Sequence, residues 1–366
     1  MKHGTKIIIS IIMLLQNVLV IAQKSTLKVN ANAAPNLIII TTDGLRWQEL
    51  YTGIDTAIAN NPKYNEEDSA GIYNKYKNQP IMPFVTNYIG SNGQLWGNRN
   101  YECVGSVSNK YWFSYPGYSE LFCGYVDDKI NSNDYKNNPN TTLLDYLQKQ
   151  PVYHNKIAAF GAWHAFERIL NKPRAGFPIT NAFDKYINGK STMAKAINKL
   201  NKEAYKPFDD AECLDVFTHN MALDYLKTQQ PKVLYISYGE TDEWAHEGKY
   251  KSYLNAARQV DDYIKEIWNY VQSNAFYHNN TVLLITTDHG RGIGVEWTSH
   301  NAKISRSNET WFAILGTSVQ AAGVVKSNNY LQEQLAQTIA NLLELNFAAK
   351  HPVAKAIELK LGEINK

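Results

Sequence analysis

The sequence predicts an α/β domain with a largely parallel central sheet and helices on both faces. Three observations carry that prediction. Short apolar runs at 37–41, 157–160, 233–237, 282–286 and 311–315 read as buried strands. Helical periodicity lies between and after them. Leu254, Ala257, Val260, Ile264, Ile267, Trp268 and Val271 form one stripe, mostly at steps of three and four, and Leu331, Leu335, Ile339, Leu342 and Leu343 form another. The composition, 44% apolar and 19% charged, suits a chain that buries a large core and excludes a disordered one. Buried strands joined by long helices give a sheet covered on both sides.

Taken in order, the chain opens on Lys2 and Lys6, followed by an apolar run over 7–22 that only Ser10 and Gln16-Asn17 interrupt. The run falls short of the ~20 apolar residues that a membrane-spanning helix needs. It reads as an export signal over 1–23, with cleavage near Ala22-Gln23 or at Ala31-Asn32-Ala33, then a short linker over 24–34. No cysteine closely follows, so no stable membrane anchor is expected, and the mature chain is expected in the periplasm or secreted. In that compartment Cys103 and Cys123 can bridge, leaving Cys213 over. One domain is expected over 35–347, with a helical tail over 348–366.

The formal charge of +3 falls to +1 once Lys2 and Lys6 are removed, which is no footprint for duplex nucleic acid or an anionic membrane. Three cysteines exclude a disulfide scaffold and a four-cysteine zinc site. The 24 Tyr and 8 Trp suit an amphipathic cleft or, in a non-catalytic reading, an extracellular glycan-binding surface.

The chemistry sits at the strand exits, where open α/β sheets gather their ligands. The first strand runs into Thr42-Asp43-Gly44. The third runs into Gly239-Glu240-Thr241-Asp242-Glu243-Trp244-Ala245-His246. The fourth runs into Thr287-Asp288-His289-Gly290-Arg291-Gly292, with His300 soon after. Each piece alone is an ordinary turn or cap. Together, carboxylates and imidazoles from three distant strands suit zinc or a similar divalent metal. Six such residues make two three-residue shells, and two metals ~4 Å apart clamp the attacking and leaving oxygens of an in-line displacement. A nucleophile is offered by Phe113-Ser114-Tyr115-Pro116-Gly117-Tyr118-Ser119-Glu120, a Gly/Pro turn opening a helix. Ser114 gains there from the positive helix end, and Ser119 is its nearest rival.

These residues resemble the alkaline phosphatase superfamily: Asp43, a serine before Pro116, Asp242-x-x-x-His246, Asp288-His289-Gly290 and a late His300. The order is similar to the type I phosphodiesterase/nucleotide pyrophosphatase branch, whose Asp-Gly-(Phe/Leu)-Arg matches Asp43-Gly44-Leu45-Arg46 and whose Thr-x-Pro-Asn-His aligns with Ser114-Tyr115-Pro116-Gly117-Tyr118. The resemblance implies that Asp242, His246 and His300 hold one metal, zinc being the expected ion, and Asp43, Asp288 and His289 a second, with Ser114 bridging. It implies a phosphoseryl intermediate that activated water then cleaves. The backbone amide after Ser114 and the side chain of Asn133 are the expected donors to the phosphoryl oxygens.

Two departures matter. Gly117-Tyr118 replaces the branch's Asn-His. Tyr118 also stands where sulfatases carry the arginine of the formylglycine motif, which argues against sulfate esters. A monoester needs one more cation than a diester, and Arg291 and Arg168 are the candidates. The sequence therefore predicts a metal-dependent hydrolase of a small phosphate ester, diester slightly preferred, with phosphomonoesterase, then sulfatase, then glycan binding as alternatives.

Overall fold

The computed structural model describes residues 34–65 and 74–362. The expected export signal at 1–23 lies outside these. Among the described residues, no helix is long and apolar enough to cross a membrane.

Eleven strands are present among the described residues: β1 Asn36–Thr42, β2 Gly93–Trp96, β3 Val104–Ser106, β4 Ile157–Gly161, β5 Ile179–Asn181, β6 Val233–Tyr238, β7 Thr281–Thr286, β8 Glu309–Thr310, β9 Phe312–Gly316, β10 Gly323–Val324 and β11 Asn329–Leu331. Eight of them form one sheet in the order β10-β2-β9-β7-β1-β6-β4-β5, and β11-β3-β8 form a small second sheet. The run β7-β1-β6-β4-β5 is parallel throughout, so its carboxyl ends share one edge. The expected strand at 311–315 is β9, and it runs antiparallel to both β7 and β2.

β1 is buried over all seven residues, which explains its unbroken apolar pattern. Leu37 and Ile39 face one core, Ile38 and Ile40 the other, as period-two alternation requires. The helix Tyr250–Ser273 lays its predicted stripe, from Leu254 to Val271, on the Ile38 face. The helices Ser114–Cys123 and Gln334–Leu342 cover the Leu37 face. Each fully buried Leu or Ile contributes roughly 1.5–3 kcal/mol relative to exposure, so these stripes anchor the layers.

Three expectations are corrected. Leu331 does not join the second helical stripe; it ends β11, exposed, and the helix starts at Gln334. The tail over 348–362 is irregular rather than helical. Pro352 breaks its periodicity, and docking satisfies its backbone instead: Ala354 N donates to Gly124 O at 2.8 Å and Ile357 N to Thr338 Oγ1 at 2.8 Å. The three cysteines are free and buried, so Cys103 and Cys123 form no bridge.

Candidate metal centre

β1, β6 and β7 are adjacent and parallel, so their exits deliver three acidic side chains to one point. Asp43 leaves β1 through Gly44, whose φ is +58°. A Cβ there would lie 2.4 Å from Asp242 Oδ1, so only glycine turns the chain at this spot. Gly44 N donates to Asp288 Oδ1 at 3.1 Å, joining the β1 and β7 exits. Arg46, buried beside Glu49, donates from Nη1 to Gly292 O at 3.1 Å and ties the same two loops again. The arginine of Asp43-Gly44-Leu45-Arg46 is thus a structural pin.

Two groups of ligand atoms converge, each within 4.8 Å: Asp43, Asp288 and His289, and Asp242, His289 and His300. His289 Nε2 lies 3.3 Å from Asp43 Oδ1 and 3.3 Å from Asp288 Oδ2. His246, expected with Asp242 and His300, is in reach of both: its Nε2 lies 3.0 Å from Asp242 Oδ2 and 3.0 Å from His300 Nε2. All six predicted ligands therefore meet, with His289 placed between the two groups.

Second contacts aim the imidazoles. His289 Nδ1 donates to Gly290 O at 2.9 Å and His300 Nδ1 to Trp112 O at 3.3 Å, which leaves each Nε2 facing the centre. Trp112 holds that carbonyl in place from a φ of +57°, costly for a bulky residue, with Asn109 Oδ1 accepting from Trp112 N at 3.0 Å. Asp288 Oδ2 is buried without any hydrogen-bond donor. Orphaned buried carboxylate oxygen facing imidazole nitrogen is the environment a divalent cation satisfies, so these residues fit the expected metals.

Electrostatics agree. Burial, then the charge of Asp242, raises the Asp43 carboxyl, and burial, then Asp43, raises Asp288 well above the usual range. Despite its burial, His289 is pushed up to about 9 by Asp288 and Asp43. A dication bound among these groups would displace the protons they share.

Ser114 is the first residue of the helix Ser114–Cys123. Its Oγ lies 3.2 Å from His289 Nε2 and 3.5 Å from Asp43 Oδ1. Ser119 faces elsewhere, accepting from Asn138 Nδ2 at 3.0 Å beside Cys123. Glu120 anchors the preceding loop through Ser108 N and Asn109 N. The helix approaches the β7 exit so closely that a Cβ on Gly117 would lie 2.5 Å from Asp288 O. Gln332 Nε2 bridges Gly117 O and Asp288 O at 3.0 and 2.8 Å.

Sequence reasoning misplaced two donors. The backbone amide after Ser114 is already engaged: Tyr115 N donates to Asn133 Oδ1 at 2.9 Å. Asn133 is thereby brought beside Ser114. Arg291 is not a free cation for a substrate. It is buried, ion-paired with Asp242, and donates to Trp297 O at 2.9 Å and Thr298 O at 2.7 Å. Against burial, Arg291 and then His246 hold the Asp242 carboxyl well below the usual range. Arg168 instead donates to Tyr135 O. Sequence reasoning also missed Tyr118, Gln332 and Trp112. Tyr118 was visible in the motif, but nothing in sequence tied it, Gln332 or Trp112 to strand exits so far away in the chain.

A family model of the metalloenzyme superfamily matches residues 209–346, which include Asp242, His246, Asp288, His289 and His300. No curated protein matches the chain. Among solved structures, a quadruple mutant of the alkaline phosphatase PafA is similar with a TM-score of 0.57 at 11% identity, covering 88% of this chain and 98% of that one. A phosphonate monoester hydrolase of Agrobacterium radiobacter gives a TM-score of 0.54 at 10% identity, covering 88% and 76%. A 2-O GAG sulfatase gives 0.55 at 12% identity, covering 88% and 73%. Residues 209–346 thus resemble the metalloenzyme superfamily, and the chain around them has the alkaline phosphatase-like fold of these solved structures.

Proposed function

We propose that the protein is an exported hydrolase of phosphate esters that works through Ser114, with phosphodiesters slightly preferred over monoesters. The observation that carries this reading is the convergence of Ser114 Oγ, Asp43 and His289 within 3.5 Å, where the exits of β1 and β7 meet the start of the helix Ser114–Cys123. A glycan-binding module has no use for it.

Asp43, Asp288 and His289 would hold one divalent ion, and Asp242, His300 and His246 the other. Ions held there supply positive charge to the phosphoryl oxygens and lower the pKa of the serine and of water. Ser114 Oγ attacks phosphorus as the ester oxygen departs, and water later cleaves the phosphoseryl bond and restores the serine. Asn133, oriented by Tyr115 N, offers Nδ2 to a non-bridging oxygen. Asp43 stays fixed because Tyr118 donates to it and Thr241 Oγ1 donates to its carbonyl.

The single charge of a diester matches a site whose nearest arginine is spent on Asp242. A phosphomonoesterase is the second reading, and it needs a cation from outside the residues above. Sulfate hydrolysis is disfavoured because Tyr118 occupies the formylglycine arginine's position and is committed to Asp43. Turnover of an aryl phosphodiester, monoester and sulfate, measured after chelation and after zinc is restored, tests the reading. Zinc-restored diester turnover above the other two supports it, and sulfate turnover above both overturns it.

A further inference from the structure

We propose that segment 183–206 docks the protein onto an anionic lipid surface. The charge of the whole chain conceals a local concentration. Lys185, Lys190, Lys195, Lys199, Lys202 and Lys206 face only Asp184 and Glu203 within the segment, while the full chain carries +3. Lys206 pairs with Asp210. Lys190, Lys195, Lys199 and Lys202 make no ion pair among the described residues.

Large apolar side chains stand in solvent beside these lysines. Ile187 is 77% exposed, Met193 56%, Leu200 58% and Tyr205 84%. The helix Ala194–Glu203 explains the arrangement. Ala194, Ile197 and Asn201 face the protein. Met193, Ala196 and Leu200, at i, i+3 and i+7, form a second and exposed stripe. Lys195, Lys199 and Lys202 follow on the arc beyond it. An apolar stripe bordered by lysines is the pattern of a helix lying in a lipid interface, with the stems buried and the ammonium heads at the phosphates.

Position adds to the case. The segment leaves the carboxyl end of β5, the same sheet edge from which Asp43, Asp242 and Asp288 project. It returns through Phe208, which packs 4.8 Å from the ring of Trp244 on the helix that carries Asp242. Docking would therefore turn the metal centre's edge toward the lipid. A second copy of this chain is the poorer occupant, because its own lysines would meet these.

The test is sedimentation of the full chain with vesicles of phosphatidylglycerol in phosphatidylcholine, against phosphatidylcholine alone, at physiological salt. Wild type is expected to bind only the anionic vesicles and to release them at about 0.5 M salt. The triple Lys195→Gln, Lys199→Gln, Lys202→Gln and the double Met193→Gln, Leu200→Gln are each expected to lose at least ~10-fold in binding. Hydrolysis of a soluble ester should stay unchanged, and the binding assay needs no turnover, so it stands or falls apart from the hydrolase reading. Three outcomes overturn the proposal: wild type that ignores anionic vesicles, variants that bind like wild type, or a dimer that Leu200→Gln dissolves. Capture by a soluble polyanion without capture by vesicles overturns it as well.

Discussion

Tyr118 donates its hydroxyl to Asp43 Oδ2 across 3.0 Å, from the helix that begins at Ser114. One helix thus carries both the proposed nucleophile and a clamp on a proposed metal ligand. Removing a contact of this kind commonly costs 10–100-fold in metal affinity or activity. Tyr118→Phe is expected to fall in that range, read by chelator competition and ester turnover. Unchanged values in both would remove Tyr118 from the site.

Ser114→Ala should lower turnover by at least ~10³-fold while metal content and circular dichroism stay as in wild type. Ser119→Ala should keep its turnover, because its hydroxyl serves Asn138 and Cys123. Full activity without the Ser114 hydroxyl would move attack to water.

Elemental analysis of the purified protein is expected to find about two divalent ions per chain. Asp288→Ala and His289→Ala should each lower that count and stop turnover. Both variants retaining full metal and full activity would show that the strand-exit cluster is not the metal centre.

Arg291→Ala leaves a buried carboxylate without its cation, and breaking such a pair costs about 3–5 kcal/mol. Monoester and diester turnover should fall together, with thermal stability, because Arg291 acts through Asp242. A selective monoester loss of ~100-fold would instead make it a contact to the substrate's second charge and the protein a phosphatase.

Burial pushes the Glu120 carboxyl up to about 8, against the hydrogen bonds from Ser108 and Asn109. A folded value above the unfolded one means stability that is present at low pH and lost as pH rises through about 8. The melting temperature should therefore fall as pH rises from about 4.5 to about 8 and level off above that, and Glu120→Gln should flatten the decline. An equally steep decline in the variant would assign it to other groups.

Much of this was legible in the sequence because buried parallel strands write themselves as apolar runs. Residues placed directly after such runs must meet at the sheet edge, so Asp43, Asp242 and Asp288 could be grouped without coordinates. Arg291 could not be assigned in the same way. Its neighbour Asp242 lies 49 residues away, and only tertiary approach decides whether a guanidinium meets a carboxylate or a substrate. The tail misled for a related reason: Ile357 and Leu361 have helical spacing, but the backbone donors around them find better partners in Thr338 and Gly124. Gly117 and Tyr118 looked like departures from a motif. In place, one makes room for Asp288 and the other holds Asp43.

The contact between Gly117 and Asp288 has a consequence for how the site could change over time. The spacing between the proposed nucleophile and the proposed metal ligand Asp288 is set by main chain against main chain, with Gln332 as the spacer's lock. Side-chain substitutions elsewhere leave such a gauge untouched, so the outer walls can drift toward new leaving groups without detuning the reaction. Position 117 itself has no such latitude. Even an added methyl group would wedge the helix outward, and misplacing a reacting atom by ~1 Å can cost ~100-fold in rate.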